Sequence, residues 1–264
     1  MEGMANPRGR RPPTTEPVID RALALLAAFS PDRAALSLTE LAELTGIPVS
    51  TVHRFTARMA AWGALERRTD GRYVVGLRLL EVASLAPRGH GLRQVAMPYL
   101  GDLAEATHQH VQLAVIEEDE ATLVERISHR TARPAHYRVG GRMPLHSTGT
   151  GLALLAHADI VFQERILAGP LVREPEGVAI DPAMLRRELA DVRRAGYAVL
   201  RRTSPSALLS VAAPIWNRDE QCCAALSVIV ADEGASAQPL VPAVVAAARA
   251  VSRALGARKA LVRP

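Results

Sequence analysis

Two apolar stripes at helical spacing lie almost end to end between Leu38 and Trp62, parted only by Gly46-Ile47-Pro48. No other stretch restricts the fold as much. In the first, Leu38, Leu41, Ala42 and Leu44 recur near the 3.6-residue period, with Thr39 and Glu40 in the first turn, where a hydroxyl cap and a negative charge suit exposed N–H groups. Gly46 stops that helix where a left-handed backbone is cheapest, and Pro48 presets φ for the next. In the second, Val52, Phe55, Met59 and Trp62 predict a core-facing stripe. Two helices joined by a short Gly-containing turn form a helix-turn-helix. Leu65 to Arg68 and Arg72 to Val75 then read as a hairpin, closed by Asp70-Gly71 in a type I′ turn.

Polar residues on this unit point to its chemistry. Ser50, Thr51, Arg54 and Arg58 occupy the hydrophilic face of the second helix. Short hydroxyls can approach phosphates or base edges, and Arg can fork onto guanine or phosphate. Arg67, Arg68 and Arg72 put positive charge around the hairpin tip, where a wing meets a sugar–phosphate backbone. The alternative is a helical protein-interaction domain with solvated Arg. Five Arg between positions 54 and 72 against two acids argue for nucleic acid.

A chain of 264 residues predicts two domains, each burying its own core. With 48% apolar residues but only 3% aromatics, that core must rest on Leu, Val and Ala. No apolar run matches a membrane span, and the adjacent Cys222-Cys223 offer neither a disulfide framework nor metal spacing, so a reducing cytoplasm is expected. The net charge of +5 suits a nucleic-acid partner without establishing one. His146-Ser147 lacks a surrounding G-x-S-x-G, and His108 and His110 lack H-E-x-x-H. No catalytic residue, metal site or cofactor is therefore expected.

Along the rest of the chain, residues 1–15 are Pro/Gly/Arg-rich and read as disordered, with Arg8, Arg10 and Arg11 forming either a DNA-touching arm or a solvated tail. Ile19, Ala22, Leu23, Leu26 and Phe29 mark a first helix, which Ser30-Pro31-Asp32 breaks. Residues 77–90 predict a linker helix ended or bent by Pro87 and Gly89; its Leu77, Leu80 and Leu85 pack on a second protomer or within the chain. Residues 90–107 read as a helix that Pro98 kinks or restarts. Two strands follow around the acidic tip Glu117 to Glu120, then a strand through AHYRVGGRMPLHS and a short helix in TGTGLALLAHA. Residues 181–196 form an amphipathic helix, LLSVAAPIW and CAALSVIVA two strands, and Pro239 to Ala257 a closing helix. Strands and helices mixed around one sheet give an α+β domain.

The run IPVSTVHRFTARMAAWGALERRTDGRYVVG resembles the winged helix-turn-helix of the IclR family of bacterial transcriptional regulators, through P-x-S-T-V-H-R, W-G and D-G-R-Y-x-x-G. The likeness continues through VGGRMPLHSTGTGLALLA, RRAGYA and VAAPIWNRDEQCCAALSV. It implies a winged helix-turn-helix over 16–76, a linker helix over 77–90, a GAF-like effector-binding and oligomerisation domain over 91–258, and a tail over 259–264. The implied DNA-contacting residues are Ser50, Thr51, His53, Arg54, Arg58, Arg67, Arg68 and Arg72, on a pseudo-palindromic duplex read by a homodimer or dimer of dimers. The implied effector residues are Ser147, Gly149, Thr150, Gly151, Leu152, Leu200, Ser210 and Ser227. The family often has a basic residue at the position of Val49, and usually Lys at Leu152, a carboxylate at Leu200 and Cys at Ser210. Those departures predict an effector with a carboxylate or carbonyl and an apolar body, rather than a small acid of the glyoxylate type. Ser210 and Ser227 are equally readable as small core residues. A collapsed core, and a ligand-independent regulator whose second domain only oligomerises, remain the alternatives.

Overall fold

The computed structural model describes residues 17–30, 32–85, 87–129, 137–173, 177–203 and 206–258. The proposed basic arm, Pro31 and the tail lie outside them. The chain divides into two compact units, residues 1–86 and 87–264.

The first unit contains α1 (Val18–Ala27), α2 (Leu38–Thr45), α3 (Val49–Trp62), β1 (Leu65–Arg67), β2 (Tyr73–Val75) and α4 (Leu77–Ser84). Its core joins Leu25, Phe29, Leu36, Leu41, Ile47, Val52, Phe55, Leu65 and Tyr73. The inward face of α1 is centred on Leu25, whereas Ile19 and Leu23, expected in the core, are exposed. The cap of α2 is Ser37, not Thr39: its hydroxyl accepts from Glu40 N at 3.2 Å while the Glu40 carboxylate accepts from Ser37 N at 2.7 Å. This capping box satisfies two of the otherwise orphaned N–H groups. Gly46 then takes φ +67° and Gly63 takes φ +91° as the left-handed ends of α2 and α3.

The hairpin turn also differs from expectation. A type I′ turn needs positive φ at both central residues, and of Asp70 and Gly71 only Gly71 (φ +84°) has it. Arg68 N donates to Arg72 O and Gly71 N to Arg68 O, which gives a three-residue loop with glycine in the left-handed position. Trp62 is exposed, its ring covered by the Arg78 guanidinium 5.0 Å away, and Leu44 is exposed as well. Thr56, absent from the expected stripe, is fully buried.

The second unit opens with α5 (Pro87–Thr107), which Pro87 starts rather than stops and which runs through Pro98. Then come β3 (His110–Glu117), β4 (Glu120–Ile127), β5 (Arg142–Pro144), α6 (Gly149–Ala156), α7 (Ile160–Leu167), β6 (Val172–Arg173), β7 (Val178–Ala179), α8 (Pro182–Ala195), β8 (Ala198–Arg202), β9 (Leu208–Trp216), β10 (Cys222–Ala231) and α9 (Val241–Ala254). Among the described residues of the AHYRVGGRMPLHS segment, only Arg142–Pro144 pair as a strand. Helix α7 and edge strand β8 have no counterpart in the sequence reading. The acidic tip is ion-paired, Arg142 holding Glu118 and Glu120 and Arg165 holding Asp119.

A six-stranded antiparallel sheet in the order β5-β4-β3-β10-β9-β8 organises this unit. Alternation along each strand sends one set of side chains toward α5 and α9 and the other toward α6 and α8. On the α6 face Ala198, Ala212, Ala225 and Ala114 are all buried and small, so the helix comes close to the strands. A Cβ on Gly149 would stand 2.3 Å from Ser210 Oγ, and one on Gly151 would stand 2.6 Å from Leu145 O. Both glycines are there because backbone approaches its neighbours too closely for a side chain.

Candidate nucleic-acid interface and ligand cavity

Helix α3 has one face in the core and the other in solvent. Val52, Phe55 and Thr56 are buried, whereas Ser50, His53, Arg54 and Arg58 are exposed and Thr51 is half-buried. The structure therefore brings five of the expected contact residues onto one outward helix face. Arg54 lies over the Phe55 ring at 5.6 Å, and Arg58 makes no ion pair among the described residues. In the hairpin, Arg67 lies over Tyr73 at 5.9 Å and Arg68 sits 3.7 Å from the Asp70 carboxylate. Arg72 is engaged differently. It donates to Ala35 O at 3.2 Å and stands 3.7 Å from Glu40, which ties the hairpin to α2. The Glu40 carboxyl is held below the ordinary carboxylate range, chiefly by its hydrogen bonds from Ser37 and further by Arg72.

In the second unit a small cavity of about 50 Å³ lies on the α6 side of the sheet. Its floor consists of alternate residues of four neighbouring strands: Gln112 of β3, Ser227 and Ile229 of β10, Leu208 and Ser210 of β9, and Leu200 and Arg202 of β8. The register places Leu200 opposite Ser210 and Ser210 opposite Ile229, while Ser227 lies between Ala212 and Gln112. Ser147, Thr148, Gly149 and Thr150 form the wall at the start of α6, with Tyr137 and Met143 beside them. Thr148 caps α6, accepting from Gly151 N at 3.1 Å and donating to Pro144 O at 2.7 Å. Gly149 and Thr150 occupy the first two positions of α6, whose N–H groups have no intrahelical partner. Their N–H groups and Arg202, over the Tyr137 ring at 5.9 Å, favour negative charge; Leu200, Leu208, Met143 and Ile229 offer apolar contact.

Six of the eight expected effector residues line this cavity: Ser147, Gly149, Thr150, Leu200, Ser210 and Ser227. Gly151 and Leu152 do not. Leu152 is fully buried in the hydrophobic cluster behind the wall, so its side chain serves packing. Gln112, Tyr137, Met143, Thr148, Arg202, Leu208 and Ile229 were not singled out as effector residues in the sequence. For the strand residues a signal existed: Leu200 and Arg202, Leu208 and Ser210, and Ser227 and Ile229 are each two apart, hence on one face.

Cys222 and Cys223 are not poised for chemistry. Burial, together with the neighbouring thiol, pushes Cys222 up to about 12, and burial also raises Cys223. Among the described residues no cluster of His, Cys, Asp and Glu is placed to hold a metal ion, and no helix is long and apolar enough to cross a membrane.

Residues 18–69 match the family model described as the IclR helix-turn-helix domain, and residues 86–255 match the bacterial transcriptional regulator IclR C-terminal domain. The chain belongs to the IclR family. It is 32% identical over 247 residues to the HTH-type transcriptional regulator BhcR of Paracoccus denitrificans, covering 91% of this chain and 88% of that one. It is 30% identical to the glycerol operon regulatory protein of Streptomyces coelicolor, covering 90% and 96%. Among solved structures, an IclR homologue from Microbacterium hydrocarbonoxydans complexed with 4-hydroxybenzoate is similar, with TM-score 0.83, 36% identity, and coverage of 90% of this chain and 98% of that one. This IclR-family protein is a DNA-binding transcriptional regulator, and the family is one of regulators rather than enzymes.

Proposed function

We propose that this regulator acts in the cytoplasm as a homodimer or dimer of dimers on a pseudo-palindromic operator. Its DNA affinity or geometry is set by a small organic acid bound in the cavity of the second unit. The domains run as a winged helix-turn-helix over 16–76, a linker over 77–90 and a GAF-like effector domain over 91–258. Leu77, Leu80 and Val82 on α4 and Leu85 at its C-cap are 51–79% exposed, which favours burial against a second copy. The DNA surface consists of Ser50, Thr51, His53, Arg54 and Arg58, with Arg67 and Arg68 on the wing. Arg72 contributes mainly by fixing the wing to α2.

The cavity carries the effector reading. Its helix-start N–H groups and Arg202 receive a carboxylate, and its Leu200, Leu208, Met143 and Ile229 receive an apolar body. The 4-hydroxybenzoate complex of the Microbacterium homologue supports an acid of that kind. Occupancy of about 50 Å³ suits a compact ligand or requires the wall to give. The effector works by population shift, binding one arrangement of the protein better than another. Calorimetry with a panel from glyoxylate and pyruvate to benzoate and larger aliphatic acids tests this. Binding of acids with an apolar body is expected. Tight binding of glyoxylate or pyruvate, with no response to any larger acid, would overturn it.

A further inference from the structure

Two polar side chains in the sheet floor each bury an atom that finds no hydrogen-bond partner among the described residues. Gln112 is 2% exposed and Ser227 is 1% exposed, and both line the cavity. Among the described residues neither Gln112 Nε2 nor Ser227 Oγ has a hydrogen-bond partner. They are not scattered defects: β3 and β10 place them directly opposite each other, on the cavity side of the sheet. Directly opposed Cβ atoms lie about 4.5–5.5 Å apart, so one ligand atom can reach both side chains. A buried donor left without an acceptor costs about 1–3 kcal/mol, and a strand interior offers many apolar residues of similar volume that avoid that cost. Flanking positions on the same strands are apolar: Val111 and Leu113 around Gln112, Leu226 and Val228 around Ser227.

Besides Arg202 of β8, the cavity carries two sets of polar groups on different elements. One is the start of α6 with Gly149 and Thr150; the other is the Gln112–Ser227 pair, on strands that α6 packs across. Leu200 of β8 and Ile229 of β10 contribute apolar surface.

Resting on the reading of this cavity as an effector site, we propose that the ligand is bifunctional. Besides its carboxylate it carries a hydroxyl or carbonyl oxygen that Gln112 and Ser227 recognise together, and these two residues set specificity. The amide of Gln112 donates to that oxygen. Ser227 donates to a carbonyl, or accepts from a hydroxyl, so one oxygen satisfies both side chains. A ligand lacking it leaves two polar groups buried and unpaired, which is how a site rejects a deoxygenated analogue strongly.

The test pairs ligands with and without the second oxygen: 4-hydroxybenzoate and 3-hydroxybenzoate against benzoate, and 4-oxopentanoate against pentanoate. Calorimetry is run on the full-length protein, on Gln112→Met and on Ser227→Ala, each first shown to be folded by its thermal transition. The wild type is expected to prefer at least one oxygenated member about tenfold or more over its parent. In Gln112→Met that preference falls to within about threefold, because the parent binds as well or better while the oxygenated acid loses a donor. Ser227→Ala gives an intermediate loss, and it keeps the test alive should Gln112→Met fold poorly. Binding of the acids with no oxygen preference in the wild type, or with a preference that survives both substitutions, overturns the Gln112–Ser227 assignment and leaves the effector cavity standing. Failure of every acid to bind overturns the cavity reading itself, and this inference with it.

Discussion

Substituting Gly151 separates a glycine kept for packing from one kept for a ligand. In Gly151→Ala the new methyl would stand 2.5 Å from Thr148 Oγ1, 2.6 Å from Leu145 O and 2.7 Å from Leu145 Cα. Two of those atoms are backbone and cannot rotate away; the third is the hydroxyl that caps α6 through Gly151 N. Overpacking of this kind costs about 1–3 kcal/mol, and displacing the cap about 1 kcal/mol more. Replacing glycine by alanine in a helix returns up to about 1 kcal/mol, leaving a net loss of roughly 1–3 kcal/mol. For a unit of this size that lowers the melting temperature by roughly 2–12 °C. Gly101 supplies the control: it lies inside α5 with nothing within 4 Å of a built Cβ, so Gly101→Ala should stabilise by about 0.5–1 kcal/mol. Thermal unfolding followed by circular dichroism, without any ligand, reads both variants. A melting temperature for Gly151→Ala equal to or above that of the wild type would refute the close-packing argument.

Three further outcomes are expected. Arg54→Ala should weaken specific DNA binding by about 1–3 kcal/mol with no change in thermal stability, whereas Arg72→Ala, whose guanidinium is occupied by Glu40 and Ala35, should weaken it less than Arg67→Ala; fluorescence anisotropy at fixed salt that ranks Arg72 above Arg67 would contradict this. Burial, the largest cause, and the nearby Arg193 lower the pKa of His157 in the folded protein, so the unfolded chain takes up that proton first as pH falls below about 6.5, and folding stability drops there. His157→Gln should therefore lose less stability than the wild type between pH 7.5 and 5.5 in urea titrations, and equal slopes would rule the coupling out. Leu200→Asp, which puts a carboxylate on the cavity floor, should weaken binding of benzoate-like acids in calorimetry while leaving DNA affinity without ligand unchanged within about twofold.

The winged helix was legible because its signals are local: a glycine after α2 and after α3, Pro48 before α3 and hydrophobic spacing. Its errors arose where tertiary contacts decide. Trp62 keeps the helical period yet lies outside, under Arg78, and Leu25 rather than Leu23 faces the core because α1 meets α2 on that side. The hairpin turn was misassigned because Asp-Gly fits both a two-residue loop and a three-residue loop with glycine in the left-handed position. In the second unit the segments of β3, β4, β5, β9 and β10 read as strands and that of β8 does not; the placement of β10 between β3 and β9 is not legible either, since the β3–β10 pairing joins residues more than a hundred positions apart. For the same reason Gln112 escaped notice. In isolation VQLAVI is an apolar strand with one polar residue, and only the register opposite Ser227 shows that the two polar groups share a wall.

Regulation by an effector requires coupling between the cavity and DNA. Fluorescence anisotropy of a labelled duplex from the DNA flanking the gene, chosen by footprinting, should be recorded at fixed salt with and without a saturating concentration of the tightest-binding acid from the calorimetric panel. The predicted result is a change of at least about fivefold in the dissociation constant, in either direction, as expected for a coupling free energy of about 1–3 kcal/mol, or a shifted footprint on a partially palindromic site. An acid that binds the protein in calorimetry yet leaves both the dissociation constant and the footprint unchanged would contradict it.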